Sequence, residues 1–247
     1  MKALEFPTDT PVKIVMLGAG GTGAQIAPNL YRLLYSMSAE RQKLTRIIIA
    51  DGDAVEEKNL VRQHFSRAEL GLNKARALAE RYSQAFGMTP EYIPDFIEDR
   101  ERLRELLTPE IHWVQRKNVP DTVILIGAVD NNRSRKLCHK VFMKVYIDSG
   151  NGEYTGQVVC GIRRGGRTLQ KPVGLLYPDV LKDTDKFPTE LSCAEVSVSA
   201  PQTITANLTA STIVVNMVYN ILVLGINAAH CVSFSTKSVH VKPMEDK

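Results

Sequence analysis

The sequence predicts an α/β fold in which a mostly parallel sheet carries helices on both faces and additional strands near the C-terminus. Residues 12–17 (VKIVML) form an apolar run that ends in glycines, and residues 22–37 carry apolar side chains at helical spacing. A second apolar run, residues 46–50, ends at Asp51 and completes a strand–helix–strand unit. This order of elements predicts a Rossmann-type nucleotide fold.

The later elements continue the same alternation. Helical patterns cover residues 73–86, closed by Gly87, then 99–107 and 132–142, while 91–93 predicts a weak strand. The run 122–126 (TVILI) is typical of a strand buried on both faces. The remaining expectations are strands at 144–147 and 156–162, a long crossover loop at about 163–190, a helix at 203–229 and a closing strand at 232–241.

Composition narrows the class of protein. The chain has 247 residues, 44% of them hydrophobic, and we expect a single domain over 1–247. The net charge of +4 comes from cations interleaved with acids, which argues against a nucleic-acid partner. Because no apolar run is long enough to span a membrane and no leader pattern precedes residue 12, we expect a soluble, cytoplasmic protein.

A glycine-rich turn follows the first predicted strand. Residues 18–23 (GAGGTG) match G-x-G-x-x-G where a strand ends and a helix begins. Small residues there let the backbone approach a phosphate, and the helix N-terminus supplies N–H donors. The alternative is a tight turn without a ligand. The candidate nucleotide-binding residues of this loop are Gly18, Gly20, Gly21 and Gly23.

The segment 51–63 narrows the choice of nucleotide. An acid such as Asp51 at the end of the second strand holds a ribose in NAD enzymes and ATP enzymes alike. The residues after it concentrate groups suited to phosphate oxygens, which a hydride-transfer enzyme does not need. These candidates are Asp53, Asn59, Arg62 and Gln63.

The ordered motifs resemble the ThiF/MoeB/HesA family, adenylating enzymes related to eukaryotic ubiquitin-activating enzymes. The matching features are the glycine loop, D-x-D-x-V-x-x-x-N-L-x-R-Q over 51–63, Lys74 in GLNKARA, and Asp130-Asn131 in GAVDNNRSR. The divergent N-terminus and long loop are also similar to ThiF-like members of plasmid-associated PRTRC gene systems.

The resemblance implies roles for these residues. Asp51 would hold the ribose of ATP, while Asn59, Arg62 and Lys74 contact the triphosphate with support from Gln63. Asp130 would position Mg²⁺, with Asn131 beside it. Residue by residue, other interpretations stay open, since Arg62 and Lys74 could be solvated surface cations and Asp130 could cap the helix that follows.

The resemblance also implies a reaction and a partner. ATP would adenylate the C-terminal carboxylate of a small ubiquitin-like or sulfur-carrier protein, with release of pyrophosphate. Cys193, in LSCAEV, would then receive the carrier covalently, although an inert buried cysteine is an equally good interpretation. The alternatives are ATP-dependent activation of a small molecule or a tRNA base, and a nucleotide-binding scaffold without turnover.

The chain departs from the family at two points. Many relatives carry two Cys-x-x-Cys pairs for zinc, whereas the four cysteines here (138, 160, 193 and 231) are far apart, so we predict no zinc. Relatives often begin with an arginine-bearing helix that reaches into the partner subunit of a homodimer. None of the eleven residues before the first strand is arginine, and Lys2 or Lys13 is a poor substitute. We still expect a homodimer, with the apolar run 213–224 as a buried helix or its interface.

Overall fold

A nine-stranded sheet forms the centre of the computed structural model, which describes residues 4–114, 116–182, 186–190 and 202–244. In chain order the described strands are β1 (Leu4–Glu5), β2 (Val12–Leu17), β3 (Thr45–Ala50), β4 (Glu91–Ile93), β5 (Ile111–Val114), β6 (Lys117–Pro120), β7 (Thr122–Gly127), β8 (Val145–Asn151), β9 (Thr155–Arg164), β10 (Arg167–Gln170), β11 (Ile226–Asn227), β12 (Cys231–Ser235) and β13 (His240–Pro243). The described helices are α1 (Gly23–Tyr35), α2 (Ala39–Lys43), α3 (Lys74–Phe86), α4 (Arg100–Leu106), α5 (Asn132–Val141), α6 (Val173–Leu176) and α7 (Ile204–Tyr219).

The strand order of the sheet is β13-β12-β9-β8-β7-β2-β3-β4, with β10 paired to β9. Strands β4, β3, β2, β7 and β8 are parallel, whereas β9, β10, β12 and β13 are joined by antiparallel pairs. The chain winds outward from β2 to β3 and β4, and it then returns to the other side of β2 through β7 and β8. This confirms the Rossmann-type fold class with additional C-terminal strands.

Two hydrophobic layers cover the sheet because its central strands are buried on both faces. Every residue of β2 and β7 is buried, as continuous apolar runs predict. On one face the core joins Ile14 and Met16 to α1, α3 and α7, and on the other it joins Val15 and Leu17 to α4 and α5. The alternation of side chains along β2 thus fixes which helices lie on which face.

Capping residues set the helix ends close to the predicted bounds. Helix α3 begins after Asn73, whose side chain accepts a hydrogen bond from the Arg76 amide (3.0 Å), and it ends at Gly87 with φ of 66°. Helix α4 begins after Asp99, which accepts from the Arg102 amide in the same way (2.8 Å). Local side-chain chemistry therefore positions both helices on the sheet.

The prediction of a loop at 163–190 is wrong in part. Strands β9 and β10 form a hairpin through Gly165 and Gly166, which both have positive φ angles (56° and 76°). A Gly-Gly pair between two strands is a hairpin signal that the charged composition of this segment obscured. Helix α6 and the 3₁₀ turn Pro178–Leu181 follow, so the described part of the segment packs against the domain.

Three other boundaries differ from the predictions. The helix expected over 203–229 ends at Tyr219, where a π turn (Asn220–Leu224) leads to Gly225 in the left-handed region. The closing strand expected over 232–241 is the hairpin of β12 and β13, which begins one residue earlier, at Cys231. Strands β5 and β6, for which the sequence predicted no strand, pair as a hairpin.

Among the described helices, one is long and apolar enough to cross a membrane by length and composition alone. It is α7 with its π turn, Ile204–Leu224, which has 21 residues and a mean hydropathy of 1.5. Half of the 18-residue apolar stretch within this helix is buried, and the helix packs on α1, β8 and β9. These contacts are those of a core helix, and a buried helix was one of the two interpretations of the apolar run 213–224.

Candidate functional site

The candidate site lies where the carboxyl ends of three parallel strands meet. Leu17 at the end of β2 pairs with Ala50 at the end of β3 and with Gly127 at the end of β7. The glycine loop, Asp51 and Asp130 therefore follow directly from neighbouring strands. Because β3 and β4 are added on one side of β2 and β7 and β8 on the other, this edge is a topological switch point, where open α/β sheets bind their ligands.

Three of the four glycines lie in close contact with neighbouring atoms, two of them with backbone. Gly18 has φ of 95°, and a Cβ there would lie 2.9 Å from the carbonyl carbon of Ala128. A Cβ at Gly23 would overlap the backbone of Gly18, whose carbonyl carbon would be 2.8 Å away. At Gly21 the added atom would meet the side-chain amide of Asn207 and the guanidinium of Arg62. Gly18 and Gly23 therefore need glycine because of backbone contacts, whereas at Gly21 two side chains from outside the loop would have to move.

Gly20 differs from the other three glycines. A Cβ on Gly20 would have no described atom within 4 Å, and its φ is not positive. No described residue accepts a hydrogen bond from the amides of Gly20, Gly21, Thr22 and Gly23, whereas the Ala19 amide donates to Asp51 and the Ala24 amide to the Gly20 carbonyl. The loop thus presents open space beside Gly20 and four unused N–H donors at the N-terminus of α1, an arrangement that suits an anion.

Asp51 fastens the loop to the end of β3. Its carboxylate accepts a hydrogen bond from the Ala19 amide (2.6 Å) through one oxygen and from the Asp53 amide (2.9 Å) through the other. Burial raises the pKa of Asp51, while the charge of Lys74 and the two amides act in the opposite direction. The residue predicted to hold a ribose is therefore also a structural anchor of the glycine loop.

Lys74 and Asp53 form an ion pair at the first turn of α3. The Lys74 ammonium lies 2.8 Å from an Asp53 oxygen, and its side chain is 7% exposed against 55% for that of Asp53. Asn73 supports this arrangement, since its side-chain amide donates to the Asp51 carbonyl at 2.7 Å. The structure brings the predicted lysine to the site and gives it a carboxylate partner that sequence reasoning did not assign to it.

The turn after Asp53 places three predicted residues. Asn59 is buried, and its side-chain oxygen accepts from the Glu56 amide (2.9 Å), so this oxygen stabilises the 3₁₀ turn Glu57–Val61. Gln63 is also buried, and its side-chain oxygen has no described hydrogen-bond partner. Arg62 is partly exposed and reaches across to Gln202, where its Nη1 donates at 3.1 Å.

A chain of amide side chains closes the site opposite Arg62. Asn207 on α7 accepts from Asn151 Nδ2 (2.7 Å) and from the Thr22 hydroxyl (3.3 Å), and its own Nδ2 is buried without a described partner. Gln202 donates to the Asn151 carbonyl at 3.2 Å. Sequence reasoning missed these residues, although an asparagine within an otherwise apolar helix was a usable signal.

The loop after β7 presents Asp130 to solvent. Asn131 caps α5, because its side chain accepts from the Ser134 amide at 2.7 Å, so the capping role considered for Asp130 belongs to its neighbour. Asp130 itself is exposed, and no described residue forms a hydrogen bond or ion pair with its carboxylate. Arg135 bonds the Val129 carbonyl (3.1 Å) and lies 3.7 Å from buried Asp148, a structural role.

The cysteines divide into two groups. Cys193 lies in the stretch 191–201, outside the described residues. Cys138, Cys160 and Cys231 are buried. Burial raises the pKa of Cys138 and of Cys160 to about 12, so both stay protonated near neutral pH and are poor nucleophiles.

One group of potential metal ligands occurs within the described part of the chain. Glu110, His112 and Asp121 bring their ligand atoms within 4.8 Å of one another, at the opposite end of β7 from the glycine loop. The Lys13 ammonium lies 3.1 Å from Glu110 and 3.8 Å from Asp121, and its charge opposes a metal ion. Lys13 is thus used far from the candidate site, which agrees with its rejection as a substitute arginine.

The switch point, the open glycine loop and the cations around it define a protein of the Rossmann-type α/β class with a candidate ligand site at the carboxyl edge of its sheet. The chain belongs to the ThiF family, whose model matches residues 10–245. The resemblance drawn from the motifs is therefore confirmed. A search of curated proteins finds no match.

Solved structures with the same fold include two ThiF-like proteins. MccB of E. coli in complex with ATP has a TM-score of 0.65 at 16% identity, covering 95% of this chain and 64% of MccB. PaaA has a TM-score of 0.62 at 18% identity, covering 95% of this chain and 64% of PaaA. The same MccB was also solved with AMPCPP and MccA (TM-score 0.63, 16% identity, 95% and 63% covered). The chain thus spans somewhat less than two thirds of these proteins.

The contrast between Gly23 and Gly20 is testable by stability measurements. Gly23→Ala forces the loop to move and should lower the free energy of unfolding by about 2 kcal/mol or more, or prevent folding. Gly20→Ala adds a methyl group to open space and should change it by less than about 0.5 kcal/mol. Urea unfolding followed by circular dichroism measures both, and equal losses at the two positions would contradict the loop geometry.

Proposed function

We propose that the carboxyl edge of the sheet binds ATP with its phosphates against Gly20 and Gly21. The observation that carries this proposal is the open space beside Gly20 at the start of a run of unused amides, in a loop fixed by Asp51. Backbone N–H groups at a helix N-terminus are good ligands for phosphate oxygens. The family membership and the fold shared with a protein solved with ATP support the same nucleotide.

We further propose adenylation of a carboxylate as the reaction. A carboxylate oxygen attacks the α-phosphorus, the bond from that phosphorus to the bridging oxygen of the β-phosphate breaks, and pyrophosphate leaves. The negative charges of the two reactants repel each other, so positive charge must be close to the reacting atoms. Arg62, within the segment 51–63, and Lys74, at the start of α3, supply this positive charge. No general base is required because the nucleophile is already ionised.

Lys74 enters this reaction by exchanging partners. Its ammonium is held beside the reacting region by Asp53, whose side chain is more than half exposed. A phosphate oxygen with a larger negative charge competes with this single carboxylate for the ammonium.

Asp51 keeps the glycine loop in place. Because each of its carboxylate oxygens has a second lone pair, Asp51 can also accept a hydrogen bond from a ribose hydroxyl. Asn59 holds the turn that carries Arg62 through its side-chain oxygen, and we propose that its side-chain NH2 group contacts the triphosphate, with support from Gln63.

Asp130, with Asn131 beside it, fits a magnesium site. Asp130 is exposed on the loop after β7, next to the glycine loop, and a carboxylate oxygen is a ligand that Mg²⁺ prefers. When bound, this ion supplies positive charge to the phosphate oxygens and to the departing pyrophosphate. We propose no zinc for this chain.

The proposed substrate is the C-terminus of a small ubiquitin-like or sulfur-carrier protein. We also propose that the protein is a homodimer, that it is cytoplasmic, and that residues 1–247 form one domain. Exposed apolar side chains on α7, on the π turn that follows it and on β13 support a protein interface. They are Ile204, Leu208, Tyr219, Val223, Leu224 and Val241.

The adenylation step is tested by pyrophosphate exchange into ATP with a candidate carrier. Arg62→Ala should lower the exchange rate by a factor of about 100 or more, because it removes charge from the transition state. Lys58→Ala removes an exposed cation of the same turn that pairs with Glu56, and it should leave the rate unchanged.

The same assay separates the alternatives. A carrier amidated at its C-terminus should support no exchange, because the nucleophile is lost. AMP formation without a carrier would instead indicate a small-molecule or tRNA substrate. ATP binding without any AMP would indicate a scaffold and would contradict the proposed enzyme.

A second step through Cys193 is proposed separately. Its thiolate attacks the carbonyl carbon of the acyl adenylate, a thioester forms and AMP leaves. After incubation with MgATP and carrier, mass spectrometry should find the carrier on the Cys193 peptide. Cys193→Ser should lose this thiol-cleavable product and keep pyrophosphate exchange. Exchange without any Cys193 product would sink this step and leave adenylation intact.

A further inference from the structure

A cavity lies at the opposite end of the parallel strands from the glycine loop. It has a volume of about 640 Å³ and is bounded by the starts of β7 and β8, the end of β9 and the segment 5–7. We call it the basic cavity, after its cations. Its main lining residues are Lys144, Arg163, Arg164, Phe6, Met143 and Ile162. The length of β7, roughly 17 Å, separates it from the candidate nucleotide site.

The three cations of the basic cavity have no carboxylate partner within 4.0 Å among the residues that the structure describes. Each is instead oriented by a backbone carbonyl. Lys144 donates to Asp121 (2.8 Å), Arg163 to Phe142 (3.2 Å) and Arg164 to Glu5 (2.6 Å). Arg163 also stacks on the Phe142 ring, 4.0 Å from its centroid. Each contact uses one of several N–H groups of the side chain. The cations are therefore held in place, and their remaining N–H groups can donate to a ligand.

The charges around the cavity are unbalanced. Glu5 is the one acid in the described lining, against three cations. The Asp121 carboxylate lies nearby, but it is occupied by His112 (2.6 Å) and Lys13 (3.8 Å). Partial burial lowers the pKa of Lys144, and the charge of Arg164 lowers it further against the influence of Asp121. An anion in the cavity would relieve this accumulation of positive charge.

The rest of the lining is apolar. Ile162 is buried, and Phe6 and Met143 are partly exposed toward the cavity. The volume falls within the range of about 300–1,000 Å³ that small-molecule sites occupy. Apolar walls with a few fixed polar groups are also typical of such sites. The lining therefore fits a molecule with one charged end and an apolar body.

We propose that the basic cavity binds a small organic anion with an apolar body, such as a medium-chain carboxylate. The anionic group contacts Arg164 and Lys144, and the body packs against Phe6, Met143 and Ile162. None of these residues belongs to the candidate nucleotide site, so the proposal stands independently of the adenylation reaction.

Isothermal titration of the whole chain tests this proposal with three probes. Octanoate should bind with one site per chain. Octylammonium, which has the same length and the opposite charge, should not bind, and inorganic phosphate should bind at least about tenfold more weakly than octanoate. Equal binding of octanoate and octylammonium, or no binding of octanoate, would overturn the proposal.

Variants assign the site to the cavity. Arg164→Gln should weaken octanoate about tenfold, which corresponds to about 1.4 kcal/mol. Arg167 pairs with Arg164 across β9 and β10 and lies outside the cavity lining. Arg167→Gln makes the same change in charge, and it should weaken octanoate binding less than twofold. Equal effects of the two variants would overturn the assignment. Methyl NMR spectra provide an independent readout, because octanoate should shift the signals of Met143 and Ile162, and unshifted signals would also contradict it.

Discussion

The hydrogen bond from the Ala19 amide to the Asp51 carboxylate, 2.6 Å long, is the contact on which the candidate site depends. It joins the loop after β2 to the end of β3. With one amide of the loop held by a buried carboxylate, the next two amides keep a fixed direction at the start of α1. The cost of burying Asp51 is offset by this bond, by the Asp53 amide and by the charge of Lys74, so a single group couples the fold to the site.

Most of the fold was predictable from local patterns. The apolar runs of β2, β3 and β7 and the caps Asn73 and Asp99 gave elements close to those observed, because strand burial and capping are set within a few residues. The failures lie where a turn interrupts a uniform composition. Gly165 and Gly166 turn a charged stretch into a hairpin, and a π turn ends α7 although the apolar residues continue.

The candidate site was predictable to the extent that motifs carry it. The glycines, Asp51, Arg62 and Lys74 come together as the motif order implied, because they follow adjacent parallel strands. Asn151 and Asn207 were missed since they reach the loop from elements more than one hundred residues away, and no local pattern records such a contact. The pairing of Lys74 with Asp53 and the use of Asn131 as the cap of α5 likewise depend on side-chain geometry.

The central claim is that Gly20 and Gly21 offer their amides to the phosphates of ATP. The most direct measurement is an amide NMR titration of the chain with magnesium and a non-hydrolysable ATP analogue. We expect the amide signals of Gly20 and Gly21 to shift most, with signals from the basic cavity, such as that of Gly165, unchanged. Saturation by the analogue without shifts in the glycine loop, or with the largest shifts elsewhere, would contradict the account.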